Sequence, residues 1–548
     1  MPAVDRRAAV LGLLTVLAAN ALFLAGLPTI LDALLSMDPF YMRLAALPAA
    51  DLARQDPTWG PLYAWWLKPL RAAFGDPLAV NAANVVALSL AVTLALYAYV
   101  LVLTRRAAVA VGAALAYLIS DFNLPLEGKM SAFALLVLLV GLTVAARLPS
   151  GPRRLSLAAA ASGLAGYARP ELYPAALALA AWALWQARAA PRERAWPLTV
   201  LLLIGGAAAA VGMPVYGSGG GEPRLLIAFR EHFAWNWARW HDAVDYRTAW
   251  HGAFGPAGSL HAALLANPAA VLLHVAINAV RTVWFLAATT FVHYPLLVPA
   301  NAPRLAQAEN LAAAALGLGL LATTRRALRL RHGRTLAMYA VIAAGPIAAA
   351  VAIYPVAHYL LVPAVLLGVA VALAAAERLP AGLLASPRAG LLAALLCLAA
   401  MPRPFVLPLA PARPGASVVG RVTVTRPVHD TVAFIRGLRL TPPVRVLTLT
   451  DGLGDLLGDG FQELKAWQVD RPLARYLDER GIDLIVSFEP GKHSFMLPDQ
   501  YWPKLQEDPA AAGFVRLTVP NVPEVSLYVR STLVPPAARS TPAASPLG

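Results

Sequence analysis

Apolar runs follow one another along residues 8–401, many of them close to the roughly 20 residues that a helix needs to cross the hydrocarbon of a bilayer. They are Ala8 to Leu35, Leu78 to Leu103, Ala107 to Ser120, Met130 to Ala146, Leu155 to Ala168, Leu172 to Ala187, Trp196 to Tyr216, Leu311 to Thr324, Leu336 to Ala357, His358 to Ala376 and Ala389 to Met401. A chain of this kind is expected to fold as a polytopic α-helical membrane protein with about 11 transmembrane helices. The composition agrees, since 59% of residues are hydrophobic and only 14% charged, an excess that no soluble core explains. The shorter runs, such as Ala107 to Ser120 and Leu155 to Ala168, either re-enter or extend through uncharged neighbours. The first run is longer than the roughly 7–15 residues of a signal-peptide core and has no small-residue cleavage site before Asp38, so it is read as the first span.

The formal charge is +15, which raises the question of nucleic acid as a partner. The basic residues fall in short clusters between apolar runs, however, as in loops that orient a membrane protein. No nucleic-acid partner is expected. With the N-terminus inside, Arg6 and Arg7, Arg105 and Arg106, Arg147 with Arg153 and Arg154, Arg188 with Arg192 and Arg194, Arg325 to Arg334, and Arg378 with Arg388 all lie on the cytoplasmic side. The outer face then carries Asp38, residues 121–129, residues 169–171, the long loop 217–310 and the whole C-terminus. One apolar stretch, Ala269 to Asn301, carries His274, Arg281 and His293; counting it as a span would invert the Arg325 cluster, so it is expected to lie along the outer leaflet. The aromatic segment before it, from His232 to Trp250, reads as an interfacial belt or as a platform for a sugar. The single cysteine, Cys397, excludes an intrachain disulfide and a cysteine-based metal site.

The domain organisation follows. Residues 1–401 form the membrane domain, with outer loops at 36–77 and 217–310, and residues 402–414 are a proline-rich linker. Residues 415–530 form a small α/β domain, expected outside, and 531–548 a Pro, Ala and Ser-rich disordered tail. Within the α/β domain, strands are expected at Val444 to Thr450, Ile482 to Phe488 and Val525 to Val529, with a helix from Pro472 to Arg480 ending at Gly481. The Gly- and Asp-rich run 451–460 lacks the Lys-Ser/Thr of a phosphate loop and the spacing of an EF-hand, and reads as a flexible loop. No internal repeat is evident, which argues against a transporter built of repeated halves.

The polar stretch Ser36 to Leu67 interrupts two spans and opens with Asp38-Pro39-Phe40-Tyr41, a carboxylate at the mouth of the bilayer, where ionisable groups are costly. It closes with Trp59-Gly60-Pro61-Leu62-Tyr63 followed by Trp65 and Trp66, rings suited to the membrane–water boundary. An acidic residue after the first span, paired with a Trp-Gly-Pro-Leu-Tyr element before the second, resembles the C-type (GT-C) membrane glycosyltransferases. That family 39-like superfamily includes the protein O-mannosyltransferases and the lipid A aminoarabinose transferase. Many relatives carry a second acidic residue next to the first; here Pro39 stands in that place.

The resemblance implies a GT-C fold and transfer, expected to invert, of a hexose or pentose from a polyprenyl-phosphate donor to a lipid, glycan or protein acceptor of the cell envelope. The chain is then a multi-pass protein of the cytoplasmic (inner) membrane, in contact with its lipids, with its C-terminal domain periplasmic or extracellular. It implies Asp38 as the base for the acceptor hydroxyl and Glu127 as a second catalytic carboxylate. Substrate contacts are assigned to Tyr41, Trp59, Pro61, Tyr63, Lys129, Arg169, Glu171, His358 and Tyr359. Asp32 and Asp56 are weaker competitors of Asp38, which could also be a plain helix-end carboxylate paired with Arg43 or Lys129. Arg169 has the donor geometry of a phosphate ligand, and a pairing of Arg169 with Glu171 is not expected, because residues two apart do not face each other on a helix. His358 stands where relatives place an arginine. If a divalent cation is used, Asp38 and Glu127 would hold Mg²⁺ or Mn²⁺ through oxygen ligands. The alternatives are a transporter or flippase, and a polymerase or ligase of lipid-linked glycans.

Overall fold

A computed structural model gives the fold. It describes residues 5–25, 38–52, 60–118, 120, 122–123, 128–212, 224–237, 246–289, 303–380, 416–419, 422–448, 452–466, 469, 471–488, 501–520, 522 and 525–534. The membrane part is helical. α1 is Arg6–Ala25 and α2 is Asp38–Leu44; α3, Pro61–Phe74, leads into α4, Pro77–Thr104. Then come α5 (Ala107–Leu118), α6 (Lys129–Ala145), α7 (Gly151–Gly166), α8 (Tyr173–Gln186) and α9 (Pro191–Val211). α10 (Arg224–Trp237), α11 (Tyr246–Phe254) and α12 (Leu260–Ala266) precede the long α13 (Pro268–Thr289), α14 (Pro303–Ala352) and α15 (Ala357–Arg378).

Six helices among the described residues are long and apolar enough to cross a membrane, including α1, α4, α9, α13, part of α14 and α15, while α5 and α6 are shorter apolar helices. Large apolar side chains face outward on them, Leu202 at 76% exposure and Val280 at 72%, a surface that water does not favour and lipid does. The starts are locally encoded. Asp76 caps α4 by accepting from the Ala79 amide at 3.1 Å, with Pro77 at the first helical position, where its missing N–H costs nothing. The α6–α7 interface is close because α7 presents buried Ala158, Ala159, Ala161, Ser162 and Ala165, and small residues let backbones approach within a bilayer.

Two expected spans, Leu311 to Thr324 and Leu336 to Ala357, are joined in the single 50-residue helix α14. At 1.5 Å per residue it is about 75 Å long, far more than one hydrocarbon layer of about 30 Å. The arginines that divided the two runs in sequence sit mid-helix, and Arg331 and His332 pair with Glu377 near the end of α15 at 2.7 and 3.3 Å. Charge therefore marks a boundary of the membrane along α14 without ending the helix. The span expected at Ala389 to Met401, the linker and the tail lie outside the described residues.

The C-terminal part is a five-stranded sheet of order β4-β3-β5-β7-β6, formed by β3 (Val444–Thr448), β4 (Phe461–Lys465), β5 (Leu484–Ser487), β6 (Phe514–Thr518) and β7 (Ser526–Arg530). β3 runs parallel to β4 and β5, whereas β7 is antiparallel to β5 and β6. A separate hairpin, β1 (Ala416–Val419) and β2 (Val422–Thr425), precedes it. Alternate residues serve opposite faces. Val444, Val446, Leu484, Val486, Leu527 and Val529 pack with α16 (Pro427–Gly437) and α17 (Leu453–Leu457). Leu447, Ile485 and Tyr528 pack with α18 (Leu473–Glu479) and α19 (Tyr501–Glu507). Covering both faces makes the central strands apolar throughout, which is why the sequence shows them as unbroken runs.

Candidate functional site

Segments far apart in sequence meet at one end of the helical bundle. The residue that opens α3 sets the first contact. A Cβ on Gly60 would lie 1.6 Å from the Tyr167 carbonyl oxygen, so only glycine lets the first loop touch the segment between α7 and α8. A Cβ on Gly345 of α14 would similarly stand 2.0 Å from the Glu171 carbonyl. These two glycines bring the loop, the 167–173 segment and α14 together.

The aromatic residues after Gly60 form the wall of this region. Tyr63 is fully buried, with its ring edge-on to Tyr41 at 5.2 Å and tilted against Phe133 at 5.6 Å. Asn84, buried within α4, donates from Nδ2 to the Tyr63 hydroxyl at 2.7 Å and accepts from Trp66 Nε1 at 2.8 Å. One amide thus fastens two inward-facing aromatics of α3. Tyr41, Pro61 and Tyr63, expected to touch substrate, are buried.

Arg169, Glu171, His358 and Tyr359 form the polar heart of the site. Arg169 is 4% exposed. Its Nε donates to Glu171 Oε1 at 2.7 Å, and Nη2 lies at the same distance from that oxygen but off the line of a good hydrogen bond. The guanidinium also lies over the Tyr359 ring, 4.7 Å from its centroid, and the His358 ring is 4.6 Å from that of Tyr359. The expectation that Arg169 and Glu171 do not pair is therefore wrong. Arg169 is not helical: its φ of −133° and ψ of 91° place it before the 3₁₀ turn Pro170–Leu172, where the i,i+2 rule for helices does not apply.

Gly128, at the start of α6, abuts His358. Lys129 is 2% exposed and its Nζ donates to the Asn123 carbonyl. Asp38 is the first residue of α2, whose Tyr41 touches Tyr63; the Asp38 side chain lies outside the described residues, as do Asp32, Asp56, Trp59, Asp121 and Glu127. Arg43, weighed as a partner of Asp38, pairs with Asp455 at 3.3 Å. Among the described residues no three His, Cys, Asp or Glu side chains gather to hold a metal.

Two features were not read from the sequence. The run 451–460 is an ordered docking element in its described part. Glu463 of β4 accepts from the amides of Gly452 and Gly454 at 2.8 and 3.0 Å and from the Thr448 hydroxyl at 3.0 Å, so the chain's own carboxylate occupies the amides a phosphate loop would offer. Asp455 and Asp459 then face Arg43 and Arg71. The second feature is a buried polar cluster joining α10, α13 and the end of α14. His274 Nε2 and Asn278 Nδ2 lie 2.9 and 3.0 Å from the Ile353 carbonyl, Asn236 bonds to Asn278 at 3.1 Å, and Arg281 donates to Asn236. The signal for it was present, since His274 and Arg281 stand in an otherwise apolar run. Around it, Phe229, Phe233, Trp250 and Phe254 bury one another, so these aromatics form a small core of the 224–289 region.

No family model matches the chain, and no curated protein matches it. Among solved structures it is similar to the crystal structure of ArnT from Cupriavidus metallidurans in the apo state, at 13% identity and a TM-score of 0.39, over 96% of this chain and 98% of that one. A likeness this loose identifies neither the family nor the reaction. What the chain's own elements define is a polytopic helical membrane protein with a three-layer α/β domain docked beside its first loop.

Proposed function

We propose that this protein is a membrane glycosyltransferase of the C type, which moves a sugar from a polyprenyl-phosphate carrier to an acceptor on the outer face of the cytoplasmic membrane. The observation that carries the reading is the convergence of Gly60, Lys129, the Arg169–Glu171 pair and His358–Tyr359 at one end of the bundle, with α2 joined to it through Tyr41 on Tyr63. These segments carry the motifs that resemble the family.

In the proposed reaction Asp38 takes the proton of the acceptor hydroxyl, whose oxygen attacks the anomeric carbon from the face opposite the carrier. The bond from that carbon to the carrier phosphate breaks, the polyprenyl phosphate leaves with the electron pair, and the configuration inverts. Arg169 and Lys129 are the cations proposed to meet the phosphate, with the His358 ring as a further hydrogen-bonding group. A Mg²⁺ or Mn²⁺ ion held by Asp38 and Glu127 would supply further positive charge at the leaving group; the proton transfer uses protein groups alone.

The test is release of polyprenyl phosphate by purified protein given a polyprenyl-phosphate sugar, with mass analysis of envelope glycans from a deletion strain to identify the acceptor. Asp38→Asn keeps the size and removes the basic oxygen, and should lower turnover by about 10²-fold or more while leaving donor binding intact. Wild-type transfer by folded Asp38→Asn protein would remove Asp38 from the base role. Movement of an intact lipid-linked sugar across vesicles without its transfer would replace the reading with a flippase.

A further inference from the structure

A second site lies at the other end of the same helices. α8 begins at the Arg169 cluster with Tyr173 and ends at Gln186, about 20 Å away at 1.5 Å per residue. Gln186 lines a cavity of about 160 Å³ enclosed by α4, α6, α7, α8 and α14. Its inner walls are apolar, made by Leu103, Leu142, Trp182 and Met338. Its polar side carries Arg154, Arg334 and Gln186.

Neither arginine has an acidic partner among the described residues: Arg154 donates to the Leu148 carbonyl at 2.6 Å, and no ion pair involves Arg334. Their neighbours behave differently, since Arg153 is held by Glu193 at 3.0 Å and Arg331 by Glu377 at 2.7 Å. Two uncompensated guanidinium groups thus share one opening. Gly151 lines it too, and a Cβ there would stand 2.6 Å from the Gln186 side-chain oxygen.

The surroundings say where this opening sits. Trp185 and Trp196 are 59% and 44% exposed at this end of the bundle, with Arg188 and Arg153 stacked over their rings at 4.7 and 5.5 Å. Exposed indoles beside arginines mark the headgroup level of a bilayer. Basic pockets between transmembrane helices at that level suit anionic lipid headgroups.

We propose that this cavity binds the phosphate headgroup of an anionic phospholipid, with Arg154 and Arg334 on the phosphate, Gln186 as a neutral hydrogen-bonding group, and the first carbons of the ester against Leu103, Leu142 and Met338. The volume admits a headgroup and not a whole lipid, so the acyl chains lie along the flanking helices. This site is independent of the proposed transferase reaction.

The experiment is native mass spectrometry of the full-length protein in detergent, titrated with phosphatidylglycerol, with phosphatidylcholine of the same chains, and with inorganic phosphate as competitor. Wild-type protein should retain phosphatidylglycerol and release phosphatidylcholine. R154A/R334A should weaken phosphatidylglycerol binding by about 30-fold, R154K/R334K should keep most of it, and R188A/R192A, an equal loss of two charges outside the cavity lining, should leave it nearly unchanged. Both arginines are exposed, so their loss strands no buried charge; should the double variant still fail to fold, R334E alone is expected to abolish the preference. Equal binding of the two lipids, or unchanged binding by folded R154A/R334A or R334E, would overturn the proposal. Displacement of the lipid by inorganic phosphate at equal concentration would do the same, by showing a free-anion site.

Discussion

The Arg169–Glu171 pair offers the sharpest test of how the candidate site is held, because its two side chains are only 5% and 11% exposed. Removing one partner of a buried pair strands the other charge, at a typical cost of about 3–5 kcal/mol. The Tyr359 ring already lies over Arg169 in the wild type and so does not offset the loss, and E171Q should cost about 3–5 kcal/mol. R169M strands Glu171 and also removes the contact of the guanidinium with the Tyr359 ring, and should cost at least as much. R169M/E171M removes both charges and should recover most of the loss, since apolar replacement of a buried pair is often near neutral. The coupling is measured as a double-mutant cycle by denaturant unfolding in mixed micelles, followed by tryptophan fluorescence. A cost below about 1 kcal/mol for E171Q would show the site to be wet and the pair to be an ordinary surface contact. Donor binding then separates structure from function. R169M/E171M that is stable but has lost affinity for the lipid-phosphate donor supports a phosphate contact, and the same variant with unchanged affinity and turnover makes Arg169 a structural residue.

Two further outcomes are expected. Gly60→Ala places a methyl 1.6 Å from the Tyr167 carbonyl, and overpacking against backbone should cost about 1–3 kcal/mol or more; the check is yield of monodisperse protein and its thermal unfolding, with Gly75→Ala, where no heavy atom is close but φ is +69°, as a control for strain without a clash. His232, on α10, is held below the usual histidine value by burial, partly offset by its hydrogen bond to the Ala228 carbonyl. The unfolded segment therefore binds a proton before the folded one does, and stability rises with pH through this window. Hydrogen-exchange protection of residues 224–237 and 246–254 should fall as pH drops below about 6.5, and His232→Asn should weaken that dependence.

What the sequence makes legible here follows the range of the physics. The strands at Val444, Leu484 and Ser526 and the helix ending before Gly481 were readable because burial on both faces writes an apolar run and a turn writes a glycine. The membrane helices were readable because a bilayer demands length and apolarity from each segment separately. α14 was read as two because a cluster of arginines resembles a loop, although a helix long enough to leave the membrane carries charge without breaking. The site was legible as a set of motifs and not as a geometry. That Arg169 meets Glu171 depends on a local backbone departure from the helix, and that Gly60 meets Tyr167 depends on packing between residues more than a hundred positions apart. Asn84 was visible as a polar residue in an apolar run; its partners, Tyr63 and Trp66, were not.

The docking of the C-terminal domain gives that geometry a second support. Along residues 43–76 the charges of Arg43, Arg71 and Asp76 are met by Asp455 at 3.3 Å, Asp459 at 3.8 Å and Arg436 at 2.7 Å. Partly exposed pairs of this kind contribute about 0–1 kcal/mol each, too little to hold a domain in place; their opposite signs at successive positions fix its register. The apolar part of the contact is Leu78 at the start of α4, which packs against the domain core. Behind Asp455 the loop is fixed in turn, since Glu463 holds the amides of Gly452 and Gly454. A continuous set of contacts therefore runs from β4 through Asp455 and Arg43 to α2, whose first residue is Asp38. The loop that resembles a catalytic loop touches Tyr167 through Gly60 and meets the soluble domain through Arg43. In the proposed reaction Asp38 opens the helix that carries Tyr41 and Arg43, so its backbone is placed before substrate arrives, and holding reacting groups in place in this way is a large part of what the reaction needs.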